Sequence, residues 1–277
     1  MLCLLVEPAA GQYAVTLAGG RPGVSGSVDG NLTVARFNQP RGVAVHAGSG
    51  QVYVVDSSNA VRRLTPGVGV STFAGQAGVA GAVDAPVGTD ARFNRPEGIA
   101  VDAGGTVYVA DTLNHTIRRI TSGGAVTTVA GTPGIAGAFD GPGASAEFNQ
   151  PKAVAVGPGG ALYVADSGNH VIRKITFTGG VATVTTLAGQ AGLPGSKNGT
   201  GSGSPAAPQF RGPQGLAVDG VGNVYVADTG NNAIRRITPA GVTTVFAGSV
   251  TASGSVDGAG GTARFSQPVG MAINAAD

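Results

Sequence analysis

The sequence predicts an all-β chain of repeated four-stranded units, and three observations predict it. A marker Phe recurs at positions 37, 93, 148, 210 and 265, so one pattern returns at spacings of 56, 55, 62 and 55 residues. A fixed period of this size marks a repeat architecture, in which each unit buries its apolar faces against its neighbours. Each period holds four short apolar runs rich in Val, Ile, Thr and Tyr and bounded by turn residues, which is strand chemistry. No segment sustains a helical apolar period, so no long helix is expected. Four antiparallel strands per unit, repeated, make the blade of a β-propeller.

Taken in order, residues 1–19 read as the end of a repeat. Leu4–Pro8 stands where a third strand ends later in the chain, and Val15–Gly19 matches the fourth-strand run Val245–Gly248. Full repeats start near 37, 93, 148 and 210. In the second of them the strands are expected at Gly98–Val101, Val107–Ala110, Thr116–Ile120 and Val126–Ala130. The connections Asp102–Gly105 and Ser122–Gly124 are Gly-rich, as tight antiparallel turns require. Residues 263–277 form a partial repeat ending in a first strand near Met271–Asn274. The expectation is one domain over 1–277 with four full blades and a partial fifth. The two end pieces either close a five-bladed ring or belong to a larger propeller.

Composition narrows the function classes. Lys and Arg number 17 against 15 Asp and Glu, a net charge of +2, and only 12% of residues are charged. Net charge therefore signals no strong attraction to polyanions or membranes. The chain has no apolar run long enough to span a bilayer. One cysteine, Cys3, excludes an intramolecular disulfide, which fits a reducing compartment or a bacterial secreted β protein. Met1–Val6 is apolar but short, without a basic start or a small-residue cleavage site, and does not read as a signal peptide.

The runs Pro96-Glu-Gly-Ile-Ala-Val-Asp102 and Val107-Tyr-Val-Ala-Asp-Thr-Leu-Asn-His-Thr-Ile-Arg-Arg-Ile120 return in the same order in every full repeat. They resemble the NHL repeat family, of a bacterial type, over nearly the whole chain. The resemblance implies a propeller that serves as a binding platform. A few relatives are metal-dependent lyases or hydrolases, and some bind RNA. A secreted or cell-envelope location is implied by the resemblance alone.

Residues present once per repeat read as structural, because a catalytic centre needs one set of groups in one place. These are the marker Phe; Pro40, Pro96, Pro151 and Pro213; Tyr53, Tyr108, Tyr163 and Tyr225; and Asp56, Asp111, Asp166 and Asp228. Asn59, Asn114, Asn169 and Asn231 follow, then the basic pairs led by Arg62, Arg118, Arg173 and Arg235. The Asp-x-x-Asn spacing suits a tight turn whose carboxylate accepts backbone N–H groups. The first basic residue is expected to pair with that Asp or with neighbouring carbonyls, since a buried unpaired Arg is costly. His115 and His170 share a turn position filled by Ala60 and Asn232 elsewhere, while His46 follows a first strand, so the three should not converge on one metal ion. No metal site and no catalytic triad is assigned.

The loops from fourth to first strand repeat Gly and Asp, with Asp29, Asp84, Asp140, Asn198 and Asp257 at one register. This chemistry could hold Ca²⁺, although turn geometry explains the same residues. The Gly199–Gly203 run lacks the context of a phosphate loop.

Recognition in a repeat protein rests on positions that vary between otherwise similar units. The slot between the Pro and the residue opening the first strand, usually Gly, holds Arg41, Glu97, Lys152, Gln214 and Val269, and two residues earlier stand Gln39, Arg95, Gln150, Gly212 and Gln267. The expected ligand-binding residues are Arg41, Glu97, Lys152, Gln214, Gln39, Arg95 and Gln150, on the long-loop end of the blades. The leading reading is a non-catalytic scaffold for a protein, peptide or glycan, with no catalytic residue and no cofactor beyond the Ca²⁺ option. A metal-dependent lyase or hydrolase is the alternative and RNA binding the second. Glu97 is the only acid in the slot, and the slot is mixed in sign with no Trp in the chain, which weighs against both.

Overall fold

A computed structural model describes residues 2–6, 13–19 and 23–274. The chain divides into two compact units, Met1–Val107 with Arg119–Thr127, and Tyr108–Arg118 with Thr128–Asp277. Twenty strands account for most of the described regular structure, with 3-10 turns of three residues each between them. The fold is the propeller type expected.

Two strands open the chain, β1 (Leu2–Val6) and β2 (Tyr13–Ala18). They pair antiparallel, with Leu4 opposite Val15, as third and fourth strands of a blade should. Glu7–Gln12 lie outside the described residues. The first full repeat is β3 (Pro40–His46), β4 (Gln51–Asp56), β5 (Ala60–Thr65) and β6 (Gly69–Gly75), in one sheet of order β3-β4-β5-β6. The second is β7 (Pro96–Val101), β8 (Val107–Asp111), β9 (Thr116–Ile120) and β10 (Val126–Ala130), in one sheet of order β7-β8-β9-β10.

The third and fourth repeats each gain a short outer strand from the preceding loop. In the third, β11 (Gly141–Pro142) adds to β12 (Pro151–Val156), β13 (Leu162–Asp166), β14 (Val171–Thr178) and β15 (Val181–Gly189). In the fourth, β16 (Gly199–Thr200) adds to β17 (Gly215–Val218), β18 (Val224–Asp228), β19 (Ala233–Ile237) and β20 (Val242–Gly248). The expected first strand at Met271–Asn274 does not form. Ala275–Asp277 lie outside the described residues.

The second strands are buried along their length, Leu162–Asp166 at every residue. Coverage on both faces removes the alternation that a half-solvated strand would show. The first unit's core gathers Ala35, Phe37, Val52, Val54, Leu64 and Val70. The second unit's gathers Tyr163, Ile172, Phe210, Leu216, Val226 and Ile237. The Gly ending the fourth strand is fixed twice over. Gly75 has φ +84°, and a Cβ there would lie 2.5 Å from the Asn59 carbonyl oxygen and 2.9 Å from the Phe93 ring. Gly248 meets Phe265 in the same way, at 2.8 Å. The marker Phe thus packs on the glycine that closes the previous repeat, which only glycine permits.

Candidate functional site

Each blade is anchored by a carboxylate that ends its second strand. Asp166 is fully buried and accepts the Asn149 N–H at 2.7 Å, the Asn169 side-chain amide at 2.8 Å and Arg173 Nη1 at 2.9 Å. Arg173 also donates to the Glu147 and Phe139 carbonyls and to Asp140 Oδ1, and its guanidinium stacks 5.1 Å from the Phe148 ring. The fourth repeat repeats this with Asp228, Asn231, Arg235 and Phe210. Burial pushes the Asp166 carboxyl up to about 6 against the lowering by Arg173 and the amide donors, and Asp228 is raised for the same first reason. The second basic residue stacks instead on an aromatic ring, Arg63 over Phe73 at 4.7 Å and Lys174 over Tyr163 at 5.7 Å. In the third and fourth repeats the Asp and Arg are buried and engage each other within the blade.

The loop residues at the Ca²⁺ register are engaged by the same arginines. Asp29 Oδ1 accepts Arg62 Nη2 at 2.6 Å and Asp140 Oδ1 accepts Arg173 Nη2 at 2.6 Å; both also cap a Thr N–H of the fourth strand. Asn198 Oδ1 takes Arg235 Nη2 at 2.8 Å. A guanidinium at hydrogen-bond distance supplies the positive charge that a cation would otherwise bring.

The turn after the second strand differs from the sequence alignment in one repeat. His115 and His170 adopt left-handed backbone, φ 60° and 61°, and their Nδ1 atoms accept the N–H of Gln150 and Gly212 at 3.0 Å. Asn232 does the same for Gln267 with its Oδ1 at 2.9 Å. In the first repeat this role belongs to Asn59, φ 67°, which accepts the Arg95 N–H at 2.8 Å. Asn59 is therefore the counterpart of His115, and Ala60 is the first residue of β5. Ser58 replaces Asn114, donating to Asp56 Oδ1 from its backbone and its hydroxyl. The cause is a deletion: Asp to Arg spans six residues in 56–62 and seven in 111–118. The shorter turn also leaves Arg62 Nη1 3.9 Å from Asp56, against 2.8–2.9 Å in the other repeats. Burial lowers the pKa of both His115 and His170, the latter helped by Arg211.

Those capped residues open the variable slot. Gln39, Arg95, Gln150 and Gln267 all have φ between 46° and 51°, in the left-handed region, and Gly212 shares it at 53°. The next ladder step is a β-bulge. Pro40 faces Asp56 and Gly42 faces Val55, so Arg41 has no partner; Lys152 is skipped likewise between Pro151 and Ala153. A bulge turns a side chain out of the ladder and marks strand ends that serve a purpose. In the first unit, Glu97 receives Arg95 Nε at 2.9 Å and lies 3.5 Å from Arg41 Nη1, while Arg41 Nε donates to Ser57 Oγ at 3.2 Å. In the second unit, the Pro carbonyls before the slots are tied down by hydroxyls, Thr112 Oγ1 to Pro151 at 2.7 Å and Ser167 Oγ to Pro213.

The NHL repeat family matches residues 37–60, 93–120, 148–175 and 210–237. These are the four segments from marker Phe to the turn or strand after the buried Asp. The chain is an NHL-repeat protein. Among curated relatives it is 34% identical over 154 residues to the chloroplastic protein SUPPRESSOR OF QUENCHING 1 of Arabidopsis thaliana, covering 52% of this chain and 14% of that one. It is 30% identical over 213 residues to NHL repeat-containing protein 2 of Homo sapiens, covering 66% and 28%. The chain thus spans less than a third of the length of these relatives. An auxiliary nutrient binding protein from Bacteroides ovatus superposes with a TM-score of 0.56 at 16% identity, over 92% of this chain and 70% of that one. The structure of a nidogen/laminin complex matches with a TM-score of 0.55 at 17% identity, over 85% and 68%.

Outside the slot ends of the repeats, the side chains singled out by chemistry do not gather among the described residues. His46 bridges Ser49 Oγ at 2.8 Å and the Ala103 carbonyl at 3.1 Å. Among the described residues no three His, Cys, Asp or Glu side chains are placed to share a metal ion. Among the described residues no helix is long and apolar enough to cross a membrane. A cleft of about 430 Å³ in the second unit lies among Val156–Pro158, Val218–Gly220, Ile273 and Asn274, at the far ends of β12 and β17 from the slot. The sequence reading missed it, because only folding brings the ends of successive first strands together. Its one carboxylate, Asp219, already accepts the N–H groups of Val221 and Asn223.

Proposed function

We propose that this NHL-repeat protein is a non-catalytic binding scaffold whose long-loop end presents the bulge-slot side chains to a protein, peptide or glycan. The observation that carries the reading is the contrast within each blade. The buried Asp–Arg–Phe anchor repeats, while the adjoining slot holds Arg41, Glu97, Lys152 and Gln214, four different polar groups, of which the last three follow backbone pinned by a side-chain cap. Rigid backbone below and variable side chains above is how repeat scaffolds separate stability from recognition. The fold is supported by likeness to a nutrient binding protein, which is that protein's role.

The test replaces Arg41, Glu97, Lys152 and Gln214 together with Ala. The expected result is an unchanged far-UV circular dichroism spectrum with loss of the proteins or glycans that the parent chain retains on an affinity column. Full retention by the variant, with loss instead on substituting Val156, Val218 and Asp219 at the opposite strand ends, overturns the choice of face.

A further inference from the structure

We propose that the first unit's slot is a carboxylate-recognising site for an acidic peptide carrying an aliphatic side chain; this rests on the scaffold reading above and names its ligand. Three consecutive turn residues assemble the site. Ser57 Oγ accepts Arg41 Nε at 3.2 Å, the Ser58 carbonyl accepts the Gly78 N–H at 2.8 Å, and Asn59 Oδ1 accepts the Arg95 N–H at 2.8 Å. The turn therefore holds the Arg41 guanidinium, the Arg95 backbone and the loop tip that follows Gly78, which is Val79, 39% exposed.

Charge decides what this surface attracts. Glu97 is the shared counter-ion of both guanidiniums and is itself 11% exposed, whereas Arg41 and Arg95 are 33% and 48% exposed. One carboxylate against two guanidiniums leaves a unit of positive charge. Glu97 engages Arg95 through Nε, so the Nη1 and Nη2 donors of Arg95 have no protein partner among the described residues. A planar guanidinium with its outer donors open matches a carboxylate in two parallel hydrogen bonds. The left-handed backbone of Arg95, φ 51°, aims that side chain, and its counterparts Gln39, Gln150 and Gln267 are uncharged. Strained backbone held by a cap is a common device at ligand sites.

The apolar partner favours a peptide over a nucleic acid. Among the described residues, the exposed large apolar side chains of this unit are all valines, Val24, Val79 and Val83 among them. Base recognition on single strands needs exposed rings for stacking, and none stands here. The turn thus ties down the backbone of both complements, the Arg95 segment for a carboxylate and the Gly78–Val79 loop for an aliphatic side chain.

The experiment measures fluorescence anisotropy of a labelled Glu-Glu-Leu-Glu-Glu-Leu peptide with the intact 277-residue chain. Arg41→Gln with Arg95→Gln is expected to weaken binding by about tenfold or more and to flatten its salt dependence. Replacing every Glu of the peptide by Gln is expected to do the same, and Lys197→Gln, at an exposed lysine outside the slot, to change nothing. Glu97→Gln removes the competing carboxylate and is expected to tighten binding several-fold, a gain that a purely structural role would not produce. Absence of binding at about 1 mM peptide, equal binding by the double Arg variant, or tighter binding of a uridylate oligomer overturns the proposal. The scaffold reading fails separately, on the quadruple Ala variant keeping its affinity-column partners.

Discussion

Protonation at single residues links the turn caps to stability. Nδ1 of His115 and His170 accepts a backbone N–H, so each ring is neutral with its proton on Nε2. Their folded-state pKa values lie below the ordinary 6.5 through burial. The neutral rings therefore stabilise the fold fully above pH 6.5, and that contribution is lost as pH falls through the folded values. Asp166 runs the other way. Raised to about 6 from 3.8, it contributes most below pH 3.8 and loses that contribution as pH rises through about 6. Asn does the same capping job at 59 and 232, so His115→Asn with His170→Asn keeps stability at pH 7.5 within about 1 kcal/mol. Urea unfolding of this variant between pH 7.5 and 5 is expected to show none of the acid loss of the parent. A parallel acid loss in both would place the titration elsewhere. Asn198 offers a second substitution. It faces Arg235 where Asp29 and Asp140 face Arg62 and Arg173, so Arg235 has Asp228 as its one carboxylate partner among the described residues. Asn198→Asp is expected to raise stability by about 0.5–1 kcal/mol, the modest scale set by an exposed position, read as a raised thermal midpoint at pH 7.

At the scale of elements, the strands were legible because their chemistry is local and repeated. The second-repeat strands predicted from Val, Ile and Thr runs fall within one or two residues of β7–β10. The pairing of Asp166 with Arg173 was legible because a buried Arg is costly without a partner. The bulge at Arg41 and the left-handed caps were not, since a register shift depends on which residues pair and not on their types. The Asn59 reassignment had a visible signal, the six-residue Asp-to-Arg spacing, which matching by residue name alone hides. The placement of Phe93 is the test of the blade assignment itself. Its ring is fully buried, against Gly75 of the previous repeat. Phe93→Ala is expected to cost about 3–5 kcal/mol, measured by denaturant unfolding. A change near zero would mean that the marker Phe does not join successive repeats.

At the scale of the whole molecule, the question is whether 1–277 behaves as one domain. The two units exchange chain within the second repeat, and the boundary passes through β9, with Thr116–Arg118 in one unit and Arg119–Ile120 in the other. Domain boundaries fall in exposed linkers crossed by few contacts, and a five-residue strand held by its ladder is the opposite of a linker. Stability in a repeat array comes from each repeat plus its interface with the next, so cooperativity can still break along the chain. We propose that it does not break here. The chain has no Trp, which lets one reporter be placed in each unit. Phe73→Trp reads the first unit from a buried site beside Tyr53, and Phe246→Trp reads the second from a half-exposed site beside Tyr225. The expected outcome is one urea midpoint by both fluorophores, coincident with far-UV circular dichroism. Midpoints that separate, with the same order in both variants, would make the two units independent domains and end the single-domain reading.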